Sequence, residues 1–258
     1  EEFAPFQGYF SVYDEAAALY AQIKIDRVPE NPEDVQTETV KVKTVVPESL
    51  PVEDAYFDDA IFIGDSISVG LRAYGVLPEK NVLAEKNVGL DKVVMDQEVY
   101  YTTGTQKKTL FAALKEKMPN PGKIYILLGS NGIPGYENEK HIQFYSQLID
   151  RLQEKYPDAI IYVESVTPIT ADSDYTRSNF NMEKIRGFNE LVLKMAEEKG
   201  LYYLNISEVL TDENGYLKKD YDGGDGMHLM SNGHKAILDY CKRHTVRPDG
   251  TTDQIVKK

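Results

Sequence analysis

The stretch DDAIFIGDSISVGL, residues 58–71, decides how the rest of the chain is read. Ala60 to Gly64 is an unbroken apolar run, too short for a helix, and this predicts a strand buried on both faces. The run breaks at Gly64-Asp65-Ser66 and gives way to a helical pattern. A buried strand that ends this way sets a serine hydroxyl at its exit. Either the triplet is a plain turn with a helix-capping residue, or Ser66 is a nucleophile.

Working outward, four more short runs share this character: NVLAEK (81–86), KIYILLG (123–129), AIIYVES (159–165) and LYYLNI (201–206). They are β-branched or aromatic and bounded by turn residues, as strands are. Helical patterns fill the gaps at 68–75, 106–118, 138–155 and 181–199. The last opens on an Asn cap at Asn181 and stops at Gly200. Apolar strands separated by helices imply a parallel five-stranded sheet covered on both faces, a three-layer α/β/α sandwich spanning residues 55–246. In such sheets ligands bind beyond the carboxyl ends of the strands. That directs attention to loops 65–68, 87–92, 130–137 and 166–180, and to the segment leading into the final helix.

Outside this domain the pattern changes. Residues 11–25 have apolar residues at helical spacing, and the Pro- and Glu-rich stretch that follows reads as an extended linker or edge segment. Residues 247–258 read as a polar C-terminal tail. A chain opening on Glu1-Glu2 rather than Met leaves room for a signal peptide or anchor upstream. No apolar run is long enough to span a membrane. The net charge of −13 argues against nucleic acid as a partner, because binding phosphates needs a basic surface. One cysteine, Cys241, supports neither a disulfide framework nor a Cys-based metal site.

Four features fall on the loops that the sheet singles out. Ser66 follows the first strand; Gly89, in NVGLD, follows the second; Asn131, in GSNG, follows the third. The fourth is the Gly-rich segment DGGDGMHLMSNGHKAILDY (222–240), with Asp225 and His228 three residues apart. A carboxylate so placed can accept from His Nδ1–H and leave Nε2 to take a proton from serine. Read singly, each has an ordinary explanation: a cap, two turn residues, and a surface loop. Asp222, Asp225, His228 and His234 are also four potential metal ligands within thirteen positions, though without a recognised ligand spacing. His234 falls in the first turn of the last helix, where a structural role is expected. His141 and His244 sit in charged helical contexts and are expected to be solvated. Together the four features supply what acyl transfer requires: nucleophile Ser66, base His228, orienting Asp225, and oxyanion donors from Ser66 N–H, Gly89 N–H and the Asn131 amide. There is no G-x-S-x-G elbow at Ser66, which disfavours the α/β-hydrolase fold.

On these residues the chain resembles the SGNH (GDSL-type) hydrolase superfamily over about residues 55–246. FIGDSISVGL matches the family's first block, Gly89 its second, Gly129-Ser130-Asn131 its third and Asp225-Gly226-Met227-His228 its last. Ile67 stands where the family's name has Leu, and Gly132 stands where many members have Asp. The resemblance implies a flavodoxin-like fold and ester hydrolysis that uses no metal or other cofactor. It is similar in particular to exported bacterial members with an N-terminal anchor and linker, which suggests an extracellular protein acting on acetyl esters of carbohydrate or cell-wall polymers. The same residues would also serve an O-acyltransferase, and a catalytically silent wall-binding module could retain the fold. The loops 130–137 and 166–180 are polar, with tyrosine, and are expected to form the substrate walls.

Overall fold

The computed structural model describes residues 35–102, 105–173 and 179–256. The helix expected at 11–25 lies outside them. Five parallel strands form the central sheet: β2 (Ala60–Gly64), β3 (Val82–Ala84), β4 (Lys123–Leu127), β5 (Ile160–Glu164) and β6 (Tyr202–Leu204), following the short N-terminal β1 (Thr37–Lys41). Their order is β3-β2-β4-β5-β6. Chain order therefore reverses direction at β2, which places a topological switch point at the end of the strand leading to Ser66.

Burial explains the composition of the strands. Every residue of β2 and β3 is buried, so the sheet is covered on both faces and each strand is apolar throughout. The register aligns Phe62 with Tyr125 and Tyr125 with Tyr162. Their rings stack at centroid separations of 4.4 and 4.5 Å, a ladder of aromatics along one face. The helices are α1 (Ser66–Ala73), α2 (Leu90–Val94), α3 (Leu110–Lys117), α4 (Asn138–Lys155), α5 (Met182–Lys199), α6 (Ser207–Leu210) and α7 (Ser231–Arg243). Helices α4 and α5 pack against each other, as do α1 and α7, completing the layers on either side of the sheet.

Of the two terminal segments, one differs from its sequence reading and the other takes one of its two alternatives. Residues 251–255, expected within a polar tail, form β7 (Thr251–Ile255), which pairs antiparallel with β1. After β1 the Pro- and Glu-rich stretch takes an edge role. Tyr203 N–H donates to Thr44 O at 2.8 Å and Val46 N–H to Tyr203 O at 3.2 Å, closing the open side of β6. The strap then crosses the end of α7, where Ser49 N–H and Val52 N–H donate to Arg243 O and Lys242 O. These are C-terminal helix carbonyls that have no acceptor role within the helix itself. The unit thus takes in residues well before 55, and backbone bonds tie the strap to it.

Both histidines expected to be solvated are buried. His141 stacks on Phe188 at 4.4 Å, and burial pushes its imidazole down to about 4. His244 stacks on Tyr240 at 3.7 Å and binds Tyr240 O through Nδ1. His141 falls on the buried face of α4 with Phe144, Tyr145 and Leu148, and His244 caps the end of α7.

Glu164, at the end of β5, is buried with the Cys241 thiol as its neighbour. Burial pushes its carboxyl up to about 8. A folded-state value above the unfolded one means stability that is complete below about pH 4 and declines as pH rises through 8. Denaturant titrations of wild type and Glu164→Gln at pH 5 and pH 8 should therefore diverge, the variant gaining on wild type by roughly 1 kcal/mol per pH unit. Parallel pH dependences would show that Glu164 is not the titrating group.

Candidate active site

The site begins with the turn between β2 and α1. Asp65 caps α1: its Oδ1 accepts from Ile67 N–H at 3.0 Å. Gly64 is required for the close passage of α1 over the sheet, since a Cβ there would meet the Ser68 hydroxyl at 1.9 Å. Ser66 is thereby the first residue of α1, and its N–H has no acceptor among the described residues. Such an N–H at a helix start is available to an anion.

The base arrives from the far end of the chain. Asp222 Oδ1 accepts from Gly224 N–H and Gly226 N–H and folds the Gly-rich loop before α7. Within it Asp225 Oδ1 accepts from Met227 N–H and His228 N–H, which fixes the carboxylate on the backbone of the residue it orients. Asp225 Oδ2 lies 2.6 Å from His228 Nδ1, and His228 Nε2 lies 2.9 Å from Ser66 Oγ. Partial burial disfavours the Asp225 charge. The bonds from the His228 backbone, the His228 ring and the Met227 N–H outweigh it and hold the carboxyl below the ordinary carboxylate range. With Nδ1–H donated to Asp225, Nε2 is free to accept the Ser66 proton, so three residues from two distant segments form one continuous hydrogen-bonded chain.

The four potential metal ligands do not converge. His234 is buried, with Nδ1 2.9 Å from Met230 O and Nε2 2.8 Å from Ile67 O, so it ties α7 to the first turn of α1. Asp222 is committed to its loop, and among the described residues no three His, Cys, Asp or Glu side chains form a group suited to a metal.

The oxyanion candidates are placed differently from one another. Asn131, after β4, lines the cleft beside Ser66, but its amide nitrogen donates to Val88 O at 3.0 Å and to Asp65 Oδ2 at 3.2 Å. Both amide hydrogens thus have protein acceptors, and donation to a substrate requires sharing or releasing the longer bond to Asp65. Gly89 is buried at the N-cap of α2 and is not among the residues lining the cleft, and its N–H has no acceptor among the described residues. Gly132 is explained by packing: a Cβ there would meet His141 Nε2 at 2.2 Å. The buried ring of His141 fills the space that a side chain at position 132 would need.

Three members of the site carried no signal in the sequence. Lys86, Asn87 and Met227 join Ser66, Asn131 and His228 around a cleft of about 450 Å³. Asn87 has φ of 59°, a left-handed turn that Asn tolerates and that an Asn two residues before a glycine can indicate. The loop 130–137 does contribute a wall through Asn131, whereas residues 166–170 of the other expected wall are buried. Thr170 N–H donates to Gly226 O, so this segment underlies the Asp225 loop. Residues 174–178 of it lie outside the described residues.

A doubly covered parallel sheet with a hydrogen-bonded Asp225–His228–Ser66 chain at its carboxyl edge is an arrangement suited to acyl transfer, and the comparisons with known proteins give the family. Residues 62–236 match the model of the GDSL-like lipase/acylhydrolase family. The chain belongs to that family and is an ester hydrolase. Among solved structures, a Streptococcus pneumonia protein described as a platelet activating factor is 22% identical, with a TM-score of 0.56 over 71% of this chain and 82% of that one. A GDSL-like lipase from Bacteroides thetaiotaomicron is 15% identical, with a TM-score of 0.55 over 71% and 85%. An acylhydrolase from Bacteroides fragilis is 14% identical, with a TM-score of 0.55 over 70% and 83%. At these identities the likenesses establish the shared fold. No curated protein matches the sequence at a significant level.

Two substitutions test the geometry. Asp225→Asn keeps the shape but not the charge that fixes the His228 tautomer, and kcat should fall by about 10³–10⁴ with KM little changed. Asn131→Ala should lower kcat by about 10²–10³, the usual scale for one lost oxyanion donor. A loss for Asn131→Ala below about threefold would confine that amide to its bonds with Asp65 and Val88.

Proposed function

We propose that this chain is a serine esterase that removes short acyl groups, acetyl above all, from carbohydrate or cell-wall polymers. The observation that carries this reading is the unbroken chain Asp225–His228–Ser66, opening into a small polar cleft. Ser66 Oγ attacks the ester carbonyl carbon while His228 Nε2 takes its proton. The developing oxyanion is held by Ser66 N–H, Gly89 N–H and the Asn131 amide. Collapse of the tetrahedral intermediate breaks the bond to the alcohol oxygen, which receives the proton from His228 and leaves an acyl-Ser66. Water, deprotonated by the same imidazole, then releases the acid and restores the serine.

The walls support a short acyl group and a polar alcohol. Asn87, Asn131 and Lys86 surround the nucleophile, and Met227 supplies the one apolar side chain among the residues that line the cleft. An acyl chain of eight carbons would need a longer apolar channel than these side chains provide. Among the described residues no helix is long and apolar enough to cross a membrane. Action outside the cell is part of this proposal and rests on the character of the presumed polymer substrate.

Kinetics on p-nitrophenyl esters test the reading directly. Acetyl should exceed octanoyl by roughly tenfold or more in kcat/KM, prolonged chelation should leave the rate unchanged, and a fluorophosphonate should label Ser66 but not a Ser66→Ala variant. A preference for octanoyl would replace the carbohydrate reading with a lipase-like one. Absence of labelling would leave the acyl-enzyme without support.

A further inference from the structure

The cleft has a charge that acyl transfer does not use. Lys86 lines it beside Ser66 and His228, is exposed, and has no ion-pair or hydrogen-bond partner among the described residues. Nearby charged groups are otherwise engaged. Glu85, its neighbour in sequence, is bound to Arg72 at 3.0 Å. Asp91 accepts the Tyr136 hydroxyl at 3.1 Å, and Asp225 is committed to His228. Lys92 Nζ donates to Asn87 O at 2.8 Å, which pins the left-handed turn at Asn87 while leaving a second ammonium unpaired with any carboxylate among the described residues. On a chain of net charge −13, the catalytic cleft is thus lined by one cation, Lys86, with a second, Lys92, bound to the neighbouring Asn87, and neither is paired with a carboxylate among the described residues.

We infer that Lys86 selects esters whose alcohol part bears an oxyanion, a carboxylate or a phosphate, close to the acylated hydroxyl. The inference rests on the short-acyl reading above: an acetyl group has no room for a charge, so the anion must belong to the alcohol. The wall chemistry fits. Asn87 and Asn131 offer amides for hydroxyls and Lys86 a point charge for the oxyanion, with a flexible stem that can follow substrates of differing shape. The acidic remainder of the surface repels an anionic polymer as a whole, so attraction confined to the cleft rim would favour a substrate with an isolated charge over one that is densely charged.

The test uses the full chain and three matched acetyl esters of one methyl glycoside: neutral, with a carboxylate, and with a phosphate. At low salt wild type should favour one or both anionic esters over the neutral one in kcat/KM. Lys86→Met should lower the value for the favoured anionic ester by about three- to fivefold, the range for an exposed charge pair, and leave the neutral ester within about twofold. Lys86→Glu should lower it by about tenfold or more, and high salt should erase the wild-type preference. Comparing the two anionic esters separates carboxylate from phosphate. Equal losses on charged and neutral esters, or no wild-type preference, would overturn the inference.

Binding of the deacetylated glycosides, measured on wild type and Lys86→Met, separates this inference from the esterase reading. Affinity for the anionic glycoside that depends on Lys86, in a protein whose Ser66 resists labelling, would keep the inference and end the esterase mechanism. Labelling of Ser66 without such dependence would do the reverse.

Discussion

One buried carboxylate holds the reactive edge of the sheet together. Asp65 is 1% exposed, and burial pushes its carboxyl above the ordinary range while the Ser130 hydroxyl and the Ile67 N–H pull the other way. Oδ1 starts the helix that presents Ser66; Oδ2 takes the Ser130 hydroxyl at 2.6 Å and the Asn131 amide at 3.2 Å. Two loops that follow neighbouring strands are thereby fixed to one group. An unpartnered carboxylate in this position would be costly, so the donors around it are a condition of the fold as well as of the site. The placement of Ser66 and of Asn131 depends on it alike.

That shared anchor also sets the condition for oxyanion binding. Backbone N–H groups at Ser66 and Gly89 have no acceptor among the described residues, so in the proposed mechanism neither would have to break a bond to meet a developing charge. The Asn131 amide is held in place by the carboxylate and by Val88 O. Its orientation is thus secured at the expense of immediate availability. His141, packed beneath Gly132, supports the same loop from below through apolar contact with Phe188 rather than through hydrogen bonds.

How much of this could be read in the sequence follows from the range of the interactions. The five strands and helices α1, α3, α4 and α5 were legible because burial on two faces, or on one, imposes a run or a period on the residues themselves. Ser66, Asp225 and His228 were legible as candidates because parallel topology collects loops at one edge, and the structure brings these three within hydrogen-bonding distance. The edge role of the Pro- and Glu-rich stretch was among the readings, but its partners and β7 were not. Their pairing depends on backbone groups of residues far apart in the chain, and backbone hydrogen bonds leave no mark on side-chain pattern. The burial of His141 and His244 was hidden for a related reason: a charged helix still buries one face, and a single ring gives no period. Lys86 had no signal, because an exposed lysine looks the same whether it faces solvent or a cleft.

The β1–β7 ribbon has a geometric consequence. It lies where the sheet begins: Gly250 sits close to the Tyr202 hydroxyl, and Pro248 lines a hollow with Ile160 and Tyr202, the opening residues of β5 and β6. The cleft lies at the opposite pole. Gln36 and Val256 are joined by a backbone hydrogen bond of 2.9 Å, so the body of the chain is nearly a closed loop whose two ends emerge together. A short bridge between them would make a circular permutant with its new termini elsewhere on the surface. A tether attached at Gln36 or at Val256 would leave the cleft on the side facing away from it.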